Sequence, residues 1–312
     1  MIGFLYLILG IFLLYFSGDW LVNGSTSLAR HMKVQPFVIA LTLVAFGTSA
    51  PELAISVHSA IKGYEGITLG NIVGSNIANV LFALPLAFLI RIPKSCDLKN
   101  VDYIYLFIAT IIYIYVIIFV GSFNTSSGIL MLLLLFSYLA FVMYQASKGI
   151  RNIDTDDLEK NLGLQKSILF SLLGIIGIII GAQILVKGAV ITAGLFGVSQ
   201  TIIGLTVVAL GTSIPEVVTS MVAALRGQIN FVLGAILGSN LFNLLAITGI
   251  ASIITPINTK NVLSKVDINY LIFSSIIFIL ISILLKYLNK KLILAVLISY
   301  FIYVVFIYLR MI

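Results

Sequence analysis

The sequence predicts an all-α integral membrane protein with ten transmembrane helices in two inverted five-helix repeats. Three observations lead to this fold class. Hydrophobic residues make up 61% of the 312 residues, charged residues only 9%, and the mean hydropathy is +1.18, a balance that no water-soluble domain sustains at its surface. The apolar runs have the length of spanning helices, not of the roughly 10-residue strands of a β-barrel. The chain also consists of two related halves.

Polar residues, glycines and prolines separate the apolar runs, each of which must be helical because lipid offers the backbone no hydrogen-bonding partner. The first run lacks the basic start and the small-residue cleavage site of a signal peptide, so we expect a permanent helix. The predicted spans are 2–18, 36–61, 67–90, 102–120, 127–146, 167–195, 199–225, 230–255, 267–286 and 291–309.

One sizeable polar segment, residues 147–166, divides the chain into halves of five spans. We interpret 1–146 as the first repeat, 147–166 as a short cytoplasmic linker and 167–312 as the second repeat. The linker leaves no room for a folded regulatory domain.

The repeat is visible as two copies of one motif. Residues 40–52 recur as 204–216 with nine of thirteen positions identical, at an offset of 164 residues. At the same offset Gly70, Gly74, Ser75, Asn76 and Asn79 recur as Gly234, Gly238, Ser239, Asn240 and Asn243. Because each half contains an odd number of spans, the second copy must enter the membrane from the opposite side, an arrangement typical of alternating-access transporters.

Basic residues predict the orientation. With the N-terminus outside, thirteen of the 18 Lys and Arg lie in cytoplasmic loops, four lie outside, and Lys187 lies within a span. This asymmetry follows the positive-inside rule, and we expect a multi-pass protein of the inner cell membrane with both termini outside and the 147–166 loop in the cytoplasm. The net charge of +7 comes from short interhelical turns, so no nucleic-acid partner is expected.

Of the eleven acidic residues, only Glu52 and Glu216 lie deep inside apolar spans, at equivalent positions of the two copies. A carboxylate at that depth costs about 3 kcal/mol on insertion scales unless it is paired, protonated or facing a water-filled cavity. Lys187 lies one span away, and we expect it to snorkel or to pair locally, without a transport role. We interpret Asp19 as a boundary residue of the first span. The natural counter-ion of the two glutamates is a bound cation.

Each glutamate ends a Gly-Thr-Ser-x-Pro-Glu motif. Pro51 and Pro215 have no N–H to donate, so they free backbone carbonyls of the preceding turn, and oxygen atoms are the ligands that hard cations prefer. The following span of each half adds a serine and an asparagine at i, i+4 spacing, which places both on one helix face. Glycines on that face allow close helix approach. The oxygen-bearing side chains are those of Thr48, Ser49, Ser75, Asn79, Thr212, Ser213, Ser239 and Asn243.

The paired Gly-Thr-Ser-x-Pro-Glu and Gly-Ser-Asn-x-x-Asn motifs, within a ten-helix inverted repeat, resemble the cation/calcium exchanger superfamily, and the chain looks most like its prokaryotic sodium/calcium exchanger branch. The resemblance covers essentially the full length. It implies that the second, third, seventh and eighth spans surround a cluster of ion sites, and that the long first and sixth spans slide across them. It also implies that Na⁺ and Ca²⁺ are the transported ions. We expect no cofactor, no protein partner is implied, and we expect function as a monomer.

Carried over by motif position, Glu52 and Glu216 are implied to be the shared calcium ligands, assisted by main-chain oxygens near Thr48 and Thr212. The flanking sodium sites are implied to use Ser49, Ser75, Ser213 and Ser239 with the carbonyls of Ala45 and Ala209. Asn79 and Asn243 are implied to line the centre. Some family members carry aspartate at the position of Asn243, and potassium-dependent relatives carry additional acid in this helix pair, whereas both copies here have asparagine. The formal charge of the site is then −2 from the glutamates alone, which matches one Ca²⁺ and argues against a potassium requirement.

Sodium/calcium antiport is therefore the leading hypothesis, and three others stay open. Proton/calcium exchange, or exchange of another divalent cation for protons, would use the glutamates as the titrating groups. A cation channel would use them as a selectivity ring. An intramembrane enzyme is the weakest alternative, because no histidine, cysteine or lysine base accompanies the Thr-Ser pairs.

Overall fold

The computed structural model describes residues 2–93, 96–151, 162–196, 211–260 and 262–311, with backbone alone at 310 and 311. Two short strands, β1 (Ser122–Phe123) and β2 (Ile257–Asn258), form an antiparallel pair with Ser122 opposite Asn258. The helices are α1 (Ile2–His31), α2 (Pro36–Thr48), α3 (Ala50–Ile61), α4 (Glu65–Ile90), α5 (Asn100–Val120), α6 (Thr125–Ser147), α7 (Leu164–Leu195), α8 (Ile214–Leu225), α9 (Ile229–Ile254), α10 (Lys265–Ile283) and α11 (Lys290–Met311).

Eight of the described helices are long and apolar enough to cross a membrane, and the bent pair α2 and α3 makes a ninth if it is counted as one span. The predicted class, an all-α multi-pass membrane protein, is confirmed. The predicted seventh span, 199–225, is described only from residue 211 onward, where it contains α8. Residues 199–210 lie outside the described part of the chain, so the count of ten stays a prediction.

The first span is longer than the predicted 2–18, because α1 continues without a break to His31. Its second half is rich in small and polar residues, which end an apolar run in the sequence but allow tight packing in the fold. A Cβ added to Gly24 would stand 2.5 Å from the backbone nitrogen of Ser171 on α7, and the Ser25 hydroxyl donates to that of Ser171 at 3.3 Å. The α1 backbone thus lies directly against α7.

The helices that carry the repeated motifs are central. All of the apolar window of α9 and 78% of that of α4 are buried, whereas at most 33% is buried in the other long spans. Glycines bring α9 against α2: a Cβ on Gly234 or Gly238 would come within 2.5 Å of a carbonyl oxygen of α2. A Cβ added to Gly70 or Gly74 of α4 would have no atom of another described segment within 4 Å. The residues equivalent to the α2 backbone that contacts Gly234 and Gly238 are 201–205, which lie outside the described residues.

The regular helical ladder is interrupted where the motifs lie. Single π-helical turns occur at Ala40–Val44 in α2, at Asn79–Ala83 in α4 and at Phe242–Ile247 in α9. A π turn shifts the side chains that follow it and is frequent at functional sites. The turn in α4 precedes Pro85, which cannot donate to the residue four positions earlier. The periodicity of the sequence did not predict these turns.

Candidate cation-binding site

Helix breaks place both motif glutamates at the start of a buried helix. Helices α2 and α3 meet at a 45° bend, and Ser49 between them leaves the helical conformation with ψ at 6°. Ser213 does the same before α8, with ψ at 0°. A proline in the first turn of each following helix fits there because the first N–H groups of a helix have no internal partner. Glu52 and Glu216 therefore lie in the first turns of α3 and α8.

Glu216 receives hydroxyl groups from both halves of the chain. Glu216 is only 3% exposed. Its Oε1 accepts hydrogen bonds from the hydroxyls of Ser49, at 3.2 Å, and Ser239, at 3.5 Å. The Thr48 hydroxyl also faces this carboxylate. Its Oε2 has no partner among the described residues, so one oxygen of Glu216 is available to a ligand.

Glu52 is buried with less support. The residue is 1% exposed, and neither carboxylate oxygen accepts a hydrogen bond from a described residue within 3.5 Å. The side chains of Ser75 and Thr212 face it, and the charge of Glu216 acts on it. The Ser213 hydroxyl donates to that of Ser75 at 3.4 Å. The two glutamates and their serines thus converge from opposite halves on one buried point.

Asparagines fill the centre between α4 and α9. The Asn79 amide nitrogen donates to Oδ1 of Asn240 at 3.0 Å, and the Asn240 amide nitrogen donates to the carbonyl of Asn76 at 3.5 Å. Oδ1 of Asn79, Oδ1 of Asn76 and both amide atoms of Asn243 are buried without a hydrogen-bond partner in the described part of the chain. Buried polar atoms are nearly always paired, so these oxygens point to an occupant such as a cation or a water molecule.

Among the described residues, no basic side chain pairs with either glutamate. The two ion pairs found among the described residues are Asp102–Arg151 and Asp19–Arg226, and neither involves Glu52 or Glu216. The two buried carboxylates therefore lack a counter-charge within the described residues.

The remaining intramembrane charges make other contacts. Asp19 lies inside α1, not at the end of a span as we expected, because α1 extends to His31. It pairs with Arg226 and accepts from the Asn23 amide at 3.1 Å. Lys187 lies over the ring of Tyr6, with 5.1 Å between Nζ and the ring centroid. This contact agrees with local pairing, one of the two alternatives predicted for Lys187.

The main-chain part of the predicted ligand set has a mixed outcome. The carbonyl oxygen of Ala45 already accepts a hydrogen bond from the backbone N–H of Ser49 at 3.0 Å. The Thr48 hydroxyl also reaches it at 3.4 Å and the Val44 carbonyl at 3.1 Å. Ala209, the equivalent of Ala45, lies outside the described residues. Ligand roles for these carbonyls stay predictions.

Sequence reasoning did not assign Asn76 and Asn240 of the centre to the site, and it missed Asn71 beside Glu52. Asn71 makes the most side-chain hydrogen bonds of the three. Its amide nitrogen donates to the backbone carbonyl of Glu52 at 3.2 Å and to the Ser56 hydroxyl at 2.9 Å, and its Oδ1 accepts from the Thr212 hydroxyl at 3.4 Å. It lies one helical turn before Ser75, on the same face, a spacing that could have identified it. The internal repeat does not mark Asn71, because the second copy has Ala235 at the equivalent position.

Comparisons with known proteins agree with one another. The family model of the sodium/calcium exchanger protein matches residues 2–144 and 166–309. The sodium/calcium exchanger MaX1 of Methanosarcina acetivorans is 33% identical over an alignment that covers 82% of this chain and 84% of MaX1. The putative antiporter CaxA of Alkalimonas amylolytica is 32% identical, with 82% of each chain covered.

Solved structures give the same result at the level of the fold. The sodium-calcium exchanger NCX_Mj soaked with Na⁺ and Sr²⁺ superposes with a TM-score of 0.78 and 30% identity, covering 96% of this chain and 97% of that chain. The NCX_Mj structure soaked with Na⁺ and Ca²⁺ gives a TM-score of 0.79 at 28% identity, with 97% of each chain covered. The family and the fold are those of a transporter and not of an enzyme. The chain belongs to the sodium/calcium exchanger protein family.

Proposed function

We propose that this protein is a secondary active antiporter that exchanges Na⁺ for Ca²⁺ by alternating access, with Glu52 and Glu216 as ligands shared by both ions. The observation that carries the proposal is the convergence of these two buried carboxylates, which act on each other electrostatically and have no basic partner among the described residues. Like charges buried together repel, and a divalent cation between them offsets both the repulsion and the desolvation cost. Their joint charge of −2 equals the charge that one Ca²⁺ brings.

The neutral oxygens around the glutamates supply the rest of the coordination. Ca²⁺ takes six to eight oxygen ligands, more than two carboxylates offer, and hydroxyl, amide and carbonyl oxygens also suit the singly charged Na⁺. When both ions need the same carboxylates, binding of one excludes the other, and this competition couples their fluxes. The proposed further ligands are Ser49, Ser75, Ser213, Ser239, Asn79, Asn243, the main-chain oxygens of Thr48 and Thr212, and the carbonyls of Ala45 and Ala209.

The proposed architecture is ten spans in two inverted repeats, 1–146 and 167–312, joined by the linker 147–166. The antiparallel packing of α1 on α7 supports it. The backbone of Gly24 lies against Ser171, and that of Gly188 lies against Leu7. Adding the repeat offset of 164 to residue 24 gives 188, and adding it to residue 7 gives 171. A two-fold axis between the helices relates these two contacts to each other. We propose that α1 and α7 are the helices that slide.

The proposed location is the inner cell membrane, with both termini outside and the linker in the cytoplasm. Contacts between loops support the alternation of sides. Asp97, in a loop predicted to be cytoplasmic, donates its N–H to Asn230 at the start of α9, 3.1 Å away, where the preceding loop is also predicted to be cytoplasmic. The two loops predicted outside meet as the β1–β2 pair. Both half-sites come from one chain, so we propose that the monomer is the transporting unit and needs no protein partner or cofactor.

The test is ⁴⁵Ca uptake into sodium-loaded proteoliposomes diluted into sodium-free buffer. We expect sodium-dependent uptake by the wild type and loss to background in Glu52→Gln and Glu216→Gln, which keep the side-chain shape but remove the charge. Glu65→Gln is the matched control, because Glu65 begins α4 away from the site, and it should retain uptake.

Three results would contradict the proposal. Uptake that ignores internal sodium but follows a pH gradient would make the protein a proton/calcium exchanger. Calcium flux without any counter-ion would make it a channel. Wild-type rates of uptake in both glutamine variants would mean that the two carboxylates are not ion ligands.

A further inference from the structure

We propose that Asn71 is a positioning residue that joins the Glu52 side of the ion site to Thr212 in the opposite half of the chain. The inference rests on the proposed function, and it assigns a role to a side chain that is not itself among the proposed ligands. Three observations carry it, namely the hydrogen bonds of Asn71, the lack of support for the Glu52 carboxylate, and a difference between the two copies of the repeat.

The Asn71 side chain uses both ends of its amide. The nitrogen reaches two groups of α3, the Glu52 carbonyl at 3.2 Å and the Ser56 hydroxyl at 2.9 Å, and the oxygen accepts from Thr212 at 3.4 Å. Thr212 lies in the turn before α8. One planar amide thus links the residue that carries the carboxylate in the first half to this turn in the second half.

The support of the two glutamates differs accordingly. The Glu216 carboxylate accepts two serine hydroxyls, whereas the Glu52 carboxylate accepts no hydrogen bond from the described residues. With no hydrogen bond to the carboxylate from a described residue, the backbone contributes more to positioning Glu52 than to positioning Glu216, and Asn71 is bonded to that backbone. A ligand must be held close to its productive geometry to contribute fully to binding. We infer that Asn71 supplies this constraint for Glu52.

The second copy of the repeat has no asparagine that could form the same amide bridge. The position equivalent to Asn71 is Ala235. Ser220, the equivalent of Ser56, is buried and its hydroxyl has no partner in the described part of the chain. Thr48, the equivalent of Thr212, donates within its own helix. The amide bridge is thus present on one side of the site, the side on which the glutamate has no direct hydrogen bond.

The test compares Asn71→Ala with Thr68→Val in the ⁴⁵Ca uptake assay. Thr68 is a matched control because its buried hydroxyl also joins α4 to α3, donating to the Ser56 carbonyl at 3.3 Å, one turn away from the site. A net hydrogen bond is worth about 0.5 to 1.5 kcal/mol, so loss of the bridge should raise the KM for Ca²⁺ about three- to tenfold. We expect Vmax to change by less than about twofold, and Thr68→Val to keep the wild-type KM.

A double-mutant cycle with Thr212→Val tests the bridge itself. If Asn71 acts through Thr212, the double variant raises the KM no further than the larger single effect, because both changes remove the same bond. If Asn71→Ala does not fold, Thr212→Val removes that bond from the other side and should raise the KM by itself.

An unchanged KM in either single variant, equal rises in Asn71→Ala and Thr68→Val, or strictly additive effects in the cycle would overturn the role of Asn71. These results leave wild-type exchange intact and so concern Asn71 alone. A wild type without sodium-dependent uptake would overturn the proposed function, and the inference with it.

Discussion

Replacing Asp102 with asparagine should destabilise the protein by about 3 to 5 kcal/mol, the usual cost of removing one partner of a buried ion pair. Asp102 and Arg151 both have fully buried side chains. Arg151 Nη2 contacts the two carboxylate oxygens at 2.8 and 2.9 Å, and the Tyr138 hydroxyl donates to the first of them at 2.8 Å. Without the carboxylate, the guanidinium stays buried and loses its ion-pair partner.

The same pair holds the start of the linker against the bundle. The Arg151 guanidinium lies over the ring of Phe37, 5.1 Å from its centroid, and the Arg151 carbonyl accepts the backbone N–H of Gln35 at 2.8 Å. These contacts attach residue 151 to the beginning of α2. Loss of the ion pair should therefore loosen the first turn of α2 as well as the linker.

The assay is the folded fraction that remains after heating in detergent, measured by size-exclusion chromatography. Unfolding temperatures fall by about 2 to 4 °C per kcal/mol in chains of roughly 150 to 250 residues, so the loss should be on the order of 10 °C. Tyr138→Phe is the matched control: it removes one hydrogen bond to the same carboxylate, worth about 1 kcal/mol.

Two results decide the matter. A loss in Asp102→Asn no larger than that in Tyr138→Phe would refute the reasoning, because it would mean that the buried guanidinium carries no uncompensated charge. Adding Arg151→Met to Asp102→Asn should recover part of the loss, since it removes the stranded charge.

Two further predictions concern labelling and packing. Burial raises the pKa of the thiol of Cys96, the only cysteine in the sequence. An impermeant maleimide should therefore label Cys96 more slowly at pH 7 than it labels the Lys62→Cys variant in a Cys96→Ser background, and the labelling rate of Cys96 should rise about tenfold per pH unit. Equal rates would contradict the effect of burial, and labelling of Cys96 from outside intact cells would reverse the proposed orientation. Gly174→Ala should lower stability by about 1 to 3 kcal/mol, because the new Cβ would stand 2.5 Å from the backbone of Leu21. Gly66→Ala is the control and should not lower stability, because no described residue comes within 4 Å of the Cβ position there. Equal unfolding temperatures of the two variants in the heating assay would rule out close packing of α1 on α7.

Some features of the fold and site could be predicted because they depend on the free energy of placing a single residue type in water or in lipid. An apolar run excludes itself from water, and a carboxylate inside such a run is expensive wherever its neighbours lie. Glu52 and Glu216 were therefore identifiable from the sequence, and both are buried. The end of the first span was predicted too early for a related reason: Gly24 and Ser25 interrupt an apolar run, although α7 covers them.

Other features depend on pairs of distant residues. Asp102 lies at the start of a predicted span and Arg151 among the predicted cytoplasmic basic residues, 49 positions away, so neither signals the other in the sequence. The hydrogen bond between Ser49 and Glu216 joins residues 167 positions apart. Asn71 has no copy in the second half, so the internal repeat that revealed the other site residues could not reveal it.

Composition, motif and repeat are properties of the linear chain, so the lipid environment, the family and the identity of the buried acidic residues could be inferred without coordinates. Which oxygens surround each glutamate, which glutamate lacks direct support and which buried charge is paired became visible in the folded protein. These are properties of distance and direction, and hydrogen bonds and ion pairs weaken steeply when either is wrong. The chain must fold before its two halves can form one site.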